Sequence, residues 1–193
     1  MLPDSVLSSL VVPGSYRESS DPVTGMLYDF ELGGGAINDG ALGLEYQTWA
    51  CWYDRSNNVR VAPLSALASS VILFNVAGVK RLSFSFDSNM QPAVAYETSS
   101  GVFFYWFDSA APGYVTTSYP GARTPRVTHD DKRDFESGKS DVLLTYLLDD
   151  ELVYRQQRDR YLVAYTLRTG LPRSLRLVRA GMNTKYRVQF ELR

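Results

Sequence analysis

His129 is the only histidine in the chain, and it stands beside Asp130 and Asp131. An imidazole flanked by carboxylates is suited to act as a general base or a metal ligand. Either role needs partners, and the sequence supplies no second histidine, no nucleophile elbow and no His-Glu-x-x-His spacing. The expectation is that His129 ends a strand and that the two aspartates open a turn. Asp130, Asp131, Asp134, Glu136 and Asp141 form an acidic loop, which Lys132, Arg133 and Lys139 interrupt. A calcium loop places oxygen ligands at alternate positions around a required glycine. The spacing here is irregular, so no metal and no cofactor is assigned. Gly33, Gly34 and Gly35 lack the following lysine and helix of a phosphate loop.

A glycosidase reading would start from the turn Phe86-Asp87-Ser88-Asn89-Met90-Gln91-Pro92, which resembles an aspartate-box turn. It lacks that turn's glycine and its trailing Thr-Trp, and the expectation is a protein that is not an enzyme. Aromatic side chains are the stronger lead. Phe103, Tyr105 and Phe107 fall on one face of a strand, Phe104 and Trp106 on the other. Such rings are costly to leave in water on both faces, so one face is expected to meet the core and the other a partner. The alternative is a glycan platform around Tyr105 and Trp106. Burial of both faces within the chain competes with both readings.

The elements that would position these residues are strands. Leu82–Asp87, Ala93–Tyr96 and Val102–Asp108 repeat in character as Val127–Asp130, Val142–Tyr146 and Leu152–Asp159. Tyr96 and Tyr146 are fifty residues apart, as are Val102 and Leu152. Short alternating strands at such a period mark propeller-type blades. The fold class expected is all-β: antiparallel four-stranded blade-like sheets, arranged as an incomplete propeller or in a sandwich-like way. Blade-like repeats are placed around 80–118 and 125–167. Val71–Val76 is a continuous apolar run, as expected of a strand covered on both faces. Leu64–Ser70 reads as one helical turn or a loop. Arg155–Arg160 reads as a strand running out to a charged turn, with Tyr161–Leu167 returning beside it. Leu175–Arg179 and Tyr186–Leu192 alternate cleanly and predict a closing hairpin, one face apolar and the other basic.

Residues 1–25, rich in Ser, Pro, Gly and Asp, read as an extended arm that orders by adding a strand to a neighbour; residues 26–193 form the all-β domain. No apolar stretch reaches the 18 residues of a membrane span. The N-terminal residues lack the basic region of a signal peptide. A single cysteine, Cys51, excludes an internal disulfide and fits synthesis in a reducing cytoplasm.

Net charge is −1, which recruits neither nucleic acid nor an anionic membrane. Its distribution is uneven. Residues 1–97 hold ten acids and five bases, net −5, whereas residues 150–193 hold four acids and ten bases, net +6. That polarity suits head-to-tail contact between copies. Arg173, Arg176 and Arg179, with Val11 and Val12 of the arm, are the candidate inter-subunit contacts.

Several segments occur in a telling order: Tyr28-Asp29-Phe30-Glu31-Leu32-Gly33-Gly34, Gly43-Leu44 with Thr48-Trp49, Phe86–Pro92 with Ala95-Tyr96, and Tyr105-Trp106. They continue with Asp130-Asp131, Ser140–Tyr146, Gln157-Arg158-Asp159-Arg160-Tyr161 and Gly181-Met182-Asn183. Over residues 26–192 this resembles a family of tailed-bacteriophage virion structural proteins with propeller-like repeats. The resemblance implies a place in the tail (a baseplate, hub or fibre-attachment piece) made in the host cytoplasm. It implies other tail proteins and copies of the chain itself as partners, with a host-surface glycan as the alternative. It brings no catalytic residues.

Overall fold

The computed structural model describes residues 26–35, 47–87, 89–130, 141–182 and 188–193; the N-terminal arm with Val11 and Val12, and the acidic loop over 131–140, lie outside them. The described chain is all-β and antiparallel. The first sheet is a meander of β1 (Met26–Gly35), β2 (Gln47–Asp54), β3 (Asn58–Pro63) and β4 (Val71–Asn75). The second comprises β5 (Arg81–Phe86), β6 (Pro92–Thr98), β7 (Gly101–Asp108) and β8 (Gly113–Pro120). The third comprises β9 (Ala122–Asp130), β10 (Asp141–Leu148), β11 (Glu151–Gln156) and β12 (Tyr165–Arg168). A two-stranded sheet, β13 (Leu177–Met182) and β14 (Val188–Leu192), follows.

Tight turns set this meander pattern. Asp54 Oδ1 accepts the backbone N–H of Ser56 and of Asn58, at 2.8 and 2.9 Å, while Asn57 takes the left-handed conformation that asparagine tolerates. The Arg60 guanidinium, 2.7 Å from Asp54 Oδ2, also reaches the Ser70 hydroxyl at 3.0 Å, so the turn is tied to the start of β4. Leu64–Ser69, a 3-10 helix, joins β3 to β4.

The first strand of each sheet packs against the first strand of the next: β1 on β5, β5 on β9, and β9 on β13. The sheets therefore stand side by side in blade fashion, with three apolar layers between them. Between the first and second sheets lie Cys51, Tyr53, Val59 and Val61 against Leu82, Phe84, Val94 and Tyr96. Between the second and third, Ala95, Val102, Phe104 and Trp106 meet Val127, Leu144, Tyr146 and Tyr161. Between the third sheet and the hairpin, Leu147 and Leu152 meet Leu171 and Leu177, with Phe190 and Leu192 packed alongside. The period-two alternation of β6 and β7 feeds the first two layers from opposite faces. Each large side chain so buried is worth about 1.5–3 kcal/mol.

Polar groups clasp the sheets at the same level. The Ser83 hydroxyl on β5 accepts the Val127 N–H of β9 at 2.7 Å, and the Thr124 hydroxyl on β9 accepts the Leu177 N–H of β13 at 3.2 Å. These two steps each use a buried inner-strand hydroxyl to satisfy the next sheet's backbone, which would otherwise be left unpaired away from water. Glu97, paired with Arg81 at 2.9 Å, accepts the Thr124 N–H at 2.7 Å. The buried Arg126 guanidinium donates to the Val178 carbonyl at 2.8 Å.

Two expectations change. Val71–Val76 is not covered on both faces: β4 is an outer strand, with Val71 61% and Ile72 48% exposed, and only Leu73, Phe74 and Val76 reach the core. A third four-stranded sheet, residues 26–75, precedes the two that the repeat revealed. Its strands are set apart by residues 36–46 and by the 3-10 helix, so it shows no fifty-residue offset.

Candidate interaction surface

His129 lies on β9 opposite Val142, near the strand's end, as expected. Among the described residues no group of three His, Cys, Asp or Glu side chains could hold a metal ion. Two tyrosine phenols are held well above their ordinary value. Burial, opposed by the Arg155 guanidinium 4.8 Å over the ring, pushes the Tyr119 phenol up to about 12. Burial, reinforced by Tyr105 and Asp87, takes Tyr114 to the same level. A phenol so held stays protonated near neutral pH and serves as packing and as a donor.

The aromatic strand is split between two layers. Trp106 is buried edge-on to Tyr161 at 4.8 Å, its indole N–H donating to the Thr117 hydroxyl at 3.2 Å. Phe103 stacks on Tyr96 at 5.3 Å and Tyr105 stacks on Tyr114 at 4.7 Å; both are partly covered by the first sheet's layer. Phe107 is half-buried, edge-on to Tyr114. The alternation read from the sequence is correct: Phe104 and Trp106 are buried within the chain, and the face with Phe103, Tyr105 and Phe107 is partly covered by it. The four rings do not come together as one open platform.

The segment Gln157–Tyr161 does long-range structural work that the sequence concealed. Gln157–Asp159 form a 3-10 turn, and Arg160 and Tyr161 follow in the left-handed conformation, with φ of 50° and 57°. That reversal sends Gln157 to Asp87 at 3.3 Å, Arg160 to Asp108, and the Tyr161 ring into the layer between the second and third sheets. Arg155 holds the reversal, donating to the carbonyls of Tyr161 and Leu162 at 2.8 and 2.9 Å. Asp159 accepts from Tyr165 and from Gln156, each at 2.6 Å, and the Tyr165 hydroxyl bond holds its carboxyl below the usual range.

The hydrogen bond from Arg160 likewise holds the Asp108 carboxyl below its ordinary value of 3.8. A carboxylate depressed in the folded state stabilises the fold above the ordinary carboxylate range and loses that contribution as pH falls through the lowered value. Asp108→Asn is therefore expected to lower the urea midpoint at pH 7. The gap to the parent should close as pH drops below about 4. Urea titrations at several pH values check this, and a gap that is constant with pH would remove the ion pair from the account.

Among the described residues the hairpin is the last member of the row. Phe190 and Leu192 face the third sheet, and Arg179 pairs in register with Glu191 on the same short ladder. Arg176 and Arg193 exchange both backbone hydrogen bonds, at 2.7 and 3.0 Å, extending the pairing by one step. Arg123 anchors the approach to the hairpin by donating to the Leu175 carbonyl. Arg173, Arg176 and Arg179 are all exposed, and the pair Arg173–Asp149, at 3.6 Å with both side chains largely in water, contributes little to stability. Among the described residues the hairpin is a sheet of two strands beside one of four, with Arg179 on it and Arg173 and Arg176 in the segment that leads to it. Comparison with protein-family models and with curated proteins finds no match to this chain.

Proposed function

We propose that this chain is a non-catalytic building block of a tailed-phage particle, seated in the tail and acting through protein–protein contacts. One observation carries the assembly reading: among the described residues, three four-stranded sheets are followed by a sheet of only two strands, with Arg173, Arg176 and Arg179 exposed on or beside it. Blade-like sheets reach full burial only against neighbours, so a two-stranded member is suited to completion by further polypeptide. The placement in a virion rests on the ordered segments over residues 26–192 that resemble phage structural proteins. The exposed Arg173, Arg176 and Arg179 would meet an acidic face on a tail protein or on another copy. A glycan-binding role draws no support from the rings first considered for it, since Trp106 and Phe104 are buried and Tyr105 is stacked and partly covered.

The test is incorporation. Purified tails of the phage that encodes the chain should contain it at a fixed stoichiometry by quantitative mass spectrometry. The triple variant Arg173→Glu, Arg176→Glu, Arg179→Glu should fold, as judged by circular dichroism, and yet fail to incorporate. Absence of the chain from particles would overturn the virion reading. Normal incorporation of the triple variant would overturn the basic surface. Binding of the isolated chain to host polysaccharide, lost in Trp106→Ala with the fold intact, would favour the glycan reading instead.

A further inference from the structure

Each four-stranded sheet presents an outer strand, β4, β8 or β12, whose far edge pairs with no other strand among the described residues. An unpaired strand edge is a template for another chain, and proteins ordinarily blunt it with charges, prolines, bulges or brevity. The strands β4 and β12 are blunted. The pairing of β4 is broken by a register shift opposite Val59/Arg60. The strand β12 has four residues, ends on Arg168 and carries a register shift opposite Leu152/Val153. The hairpin's outer strand β14 has five residues and includes Glu191.

The strand β8 has none of these features before its last residue. Its sequence, Gly-Tyr-Val-Thr-Thr-Ser-Tyr-Pro, contains no charged residue, and its only proline is the last residue. All eight residues pair with β7 in unbroken register from Gly113 to Pro120, and only Tyr119, near the end of β8, is buried against the third sheet, where it stacks on Tyr146. Tyr114 is 39% and Val115 37% exposed, and Thr116 and Ser118 are exposed beside them. Tyrosine, valine and threonine are the residues that favour a pleated, half-buried neighbour.

We infer that β8 is a strand-addition site at which two copies of this chain pair edge to edge, joining their second sheets into one eight-stranded antiparallel sheet. The occupant follows from charge. An uncharged edge meets its own copy without like-charge opposition. The whole chain carries a net charge of −1, so two copies approach with almost no repulsion. The contact is isologous and closes as a twofold dimer. Centred on Thr116, it sets Thr116 against its symmetry mate, a favourable cross-strand pair, and Tyr114 against Ser118 of the partner subunit. This goes beyond the proposed role in the tail and does not depend on it, because β8 lies on the second sheet and the basic hairpin on the far side of the third.

Sedimentation equilibrium of the full chain over a wide concentration range tests the inference. The parent should show a monomer–dimer equilibrium. Val115→Lys and Thr116→Lys, which place like charges across the twofold contact, should each weaken it at least about tenfold. The hairpin triple variant should dimerise like the parent, which separates this contact from the basic surface. Because a variant that unfolds would also lose the dimer, amide hydrogen exchange on the parent supplies the second readout. Protection of β8 amides should rise with concentration while that of β4 and β12 amides does not. A parent that stays monomeric throughout, a dimer that persists in both lysine variants, or exchange in β8 that is independent of concentration would each overturn the inference.

Discussion

Tyr161→Ala is expected to lower the free energy of unfolding by about 3–5 kcal/mol, the range for deleting a large buried aromatic ring. Tyr161 is 2% exposed and sits edge-on to Phe104 at 4.6 Å and to Trp106 at 4.8 Å, closing the layer between the second and third sheets. Its backbone is left-handed, which costs a non-glycine residue about 1–2 kcal/mol. The ring's burial and the Arg155 clamp on its carbonyl offset that cost. Alanine keeps the backbone strain and loses the packing, leaving only the Arg155 clamp on the carbonyl to offset it. Its neighbour Leu162 is 76% exposed, and Leu162→Ala should stay within about 0.5 kcal/mol of the parent. Urea unfolding of the two variants checks the contrast. Against a total stability of about 5–15 kcal/mol, the first change leaves a marginal protein. Equal effects for these adjacent residues would mean that the ring does not join the sheets.

Gly101→Ala is the second large effect. Gly101 opens β7 with φ of +135°, and a Cβ built there would lie 2.6 Å from the Tyr119 carbonyl oxygen and 3.0 Å from the backbone of Pro120 and Gly121. The obstacle is the backbone of the outer strand β8 and the turn after it, which cannot swing aside as a side chain would. Backbone strain of about 1–3 kcal/mol adds to overpacking of about 1–3 kcal/mol. Gly78, with φ of +76° and nothing within 4 Å of a built Cβ, isolates the conformational part. Gly78→Ala should therefore cost only about 1–2 kcal/mol. Thermal or urea unfolding of both variants measures the difference, and a Gly101→Ala variant no worse than Gly78→Ala would contradict the close approach of β7 and β8.

What the sequence made legible depended on whether a signal was local. Alternation along Val102–Asp108 assigned each ring of β7 to a face correctly, because period two is a property of the strand itself. Which faces were covered depended on Tyr96, Phe74 and Tyr161, residues elsewhere in the chain, and alternation carries no information about them. Val71–Val76 looked like a doubly covered strand because every residue but Asn75 is apolar. An apolar run, however, does not say whether a neighbour lies beyond it. The fifty-residue offset exposed the second and third sheets, while the first was hidden by its longer connections. Gln157–Tyr161 was visible as a polar break in the pattern. Its partners Asp87 and Asp108 lie 70 and 52 residues away from Gln157 and Arg160, beyond any local cue. Around the hairpin the exposure of Arg176 and Arg179 and the burial of Leu177 were readable, since these residues are adjacent in sequence.

The direct test of the assembly account is amide hydrogen exchange across 177–192, compared between the isolated chain and purified tails that contain it. The account predicts that β13 and β14 exchange readily in the free chain and become strongly protected in the particle, while the inner strands β5 and β9 are protected in both. Equal protection of the hairpin in the two samples would show that nothing completes its sheet, and the account would fail.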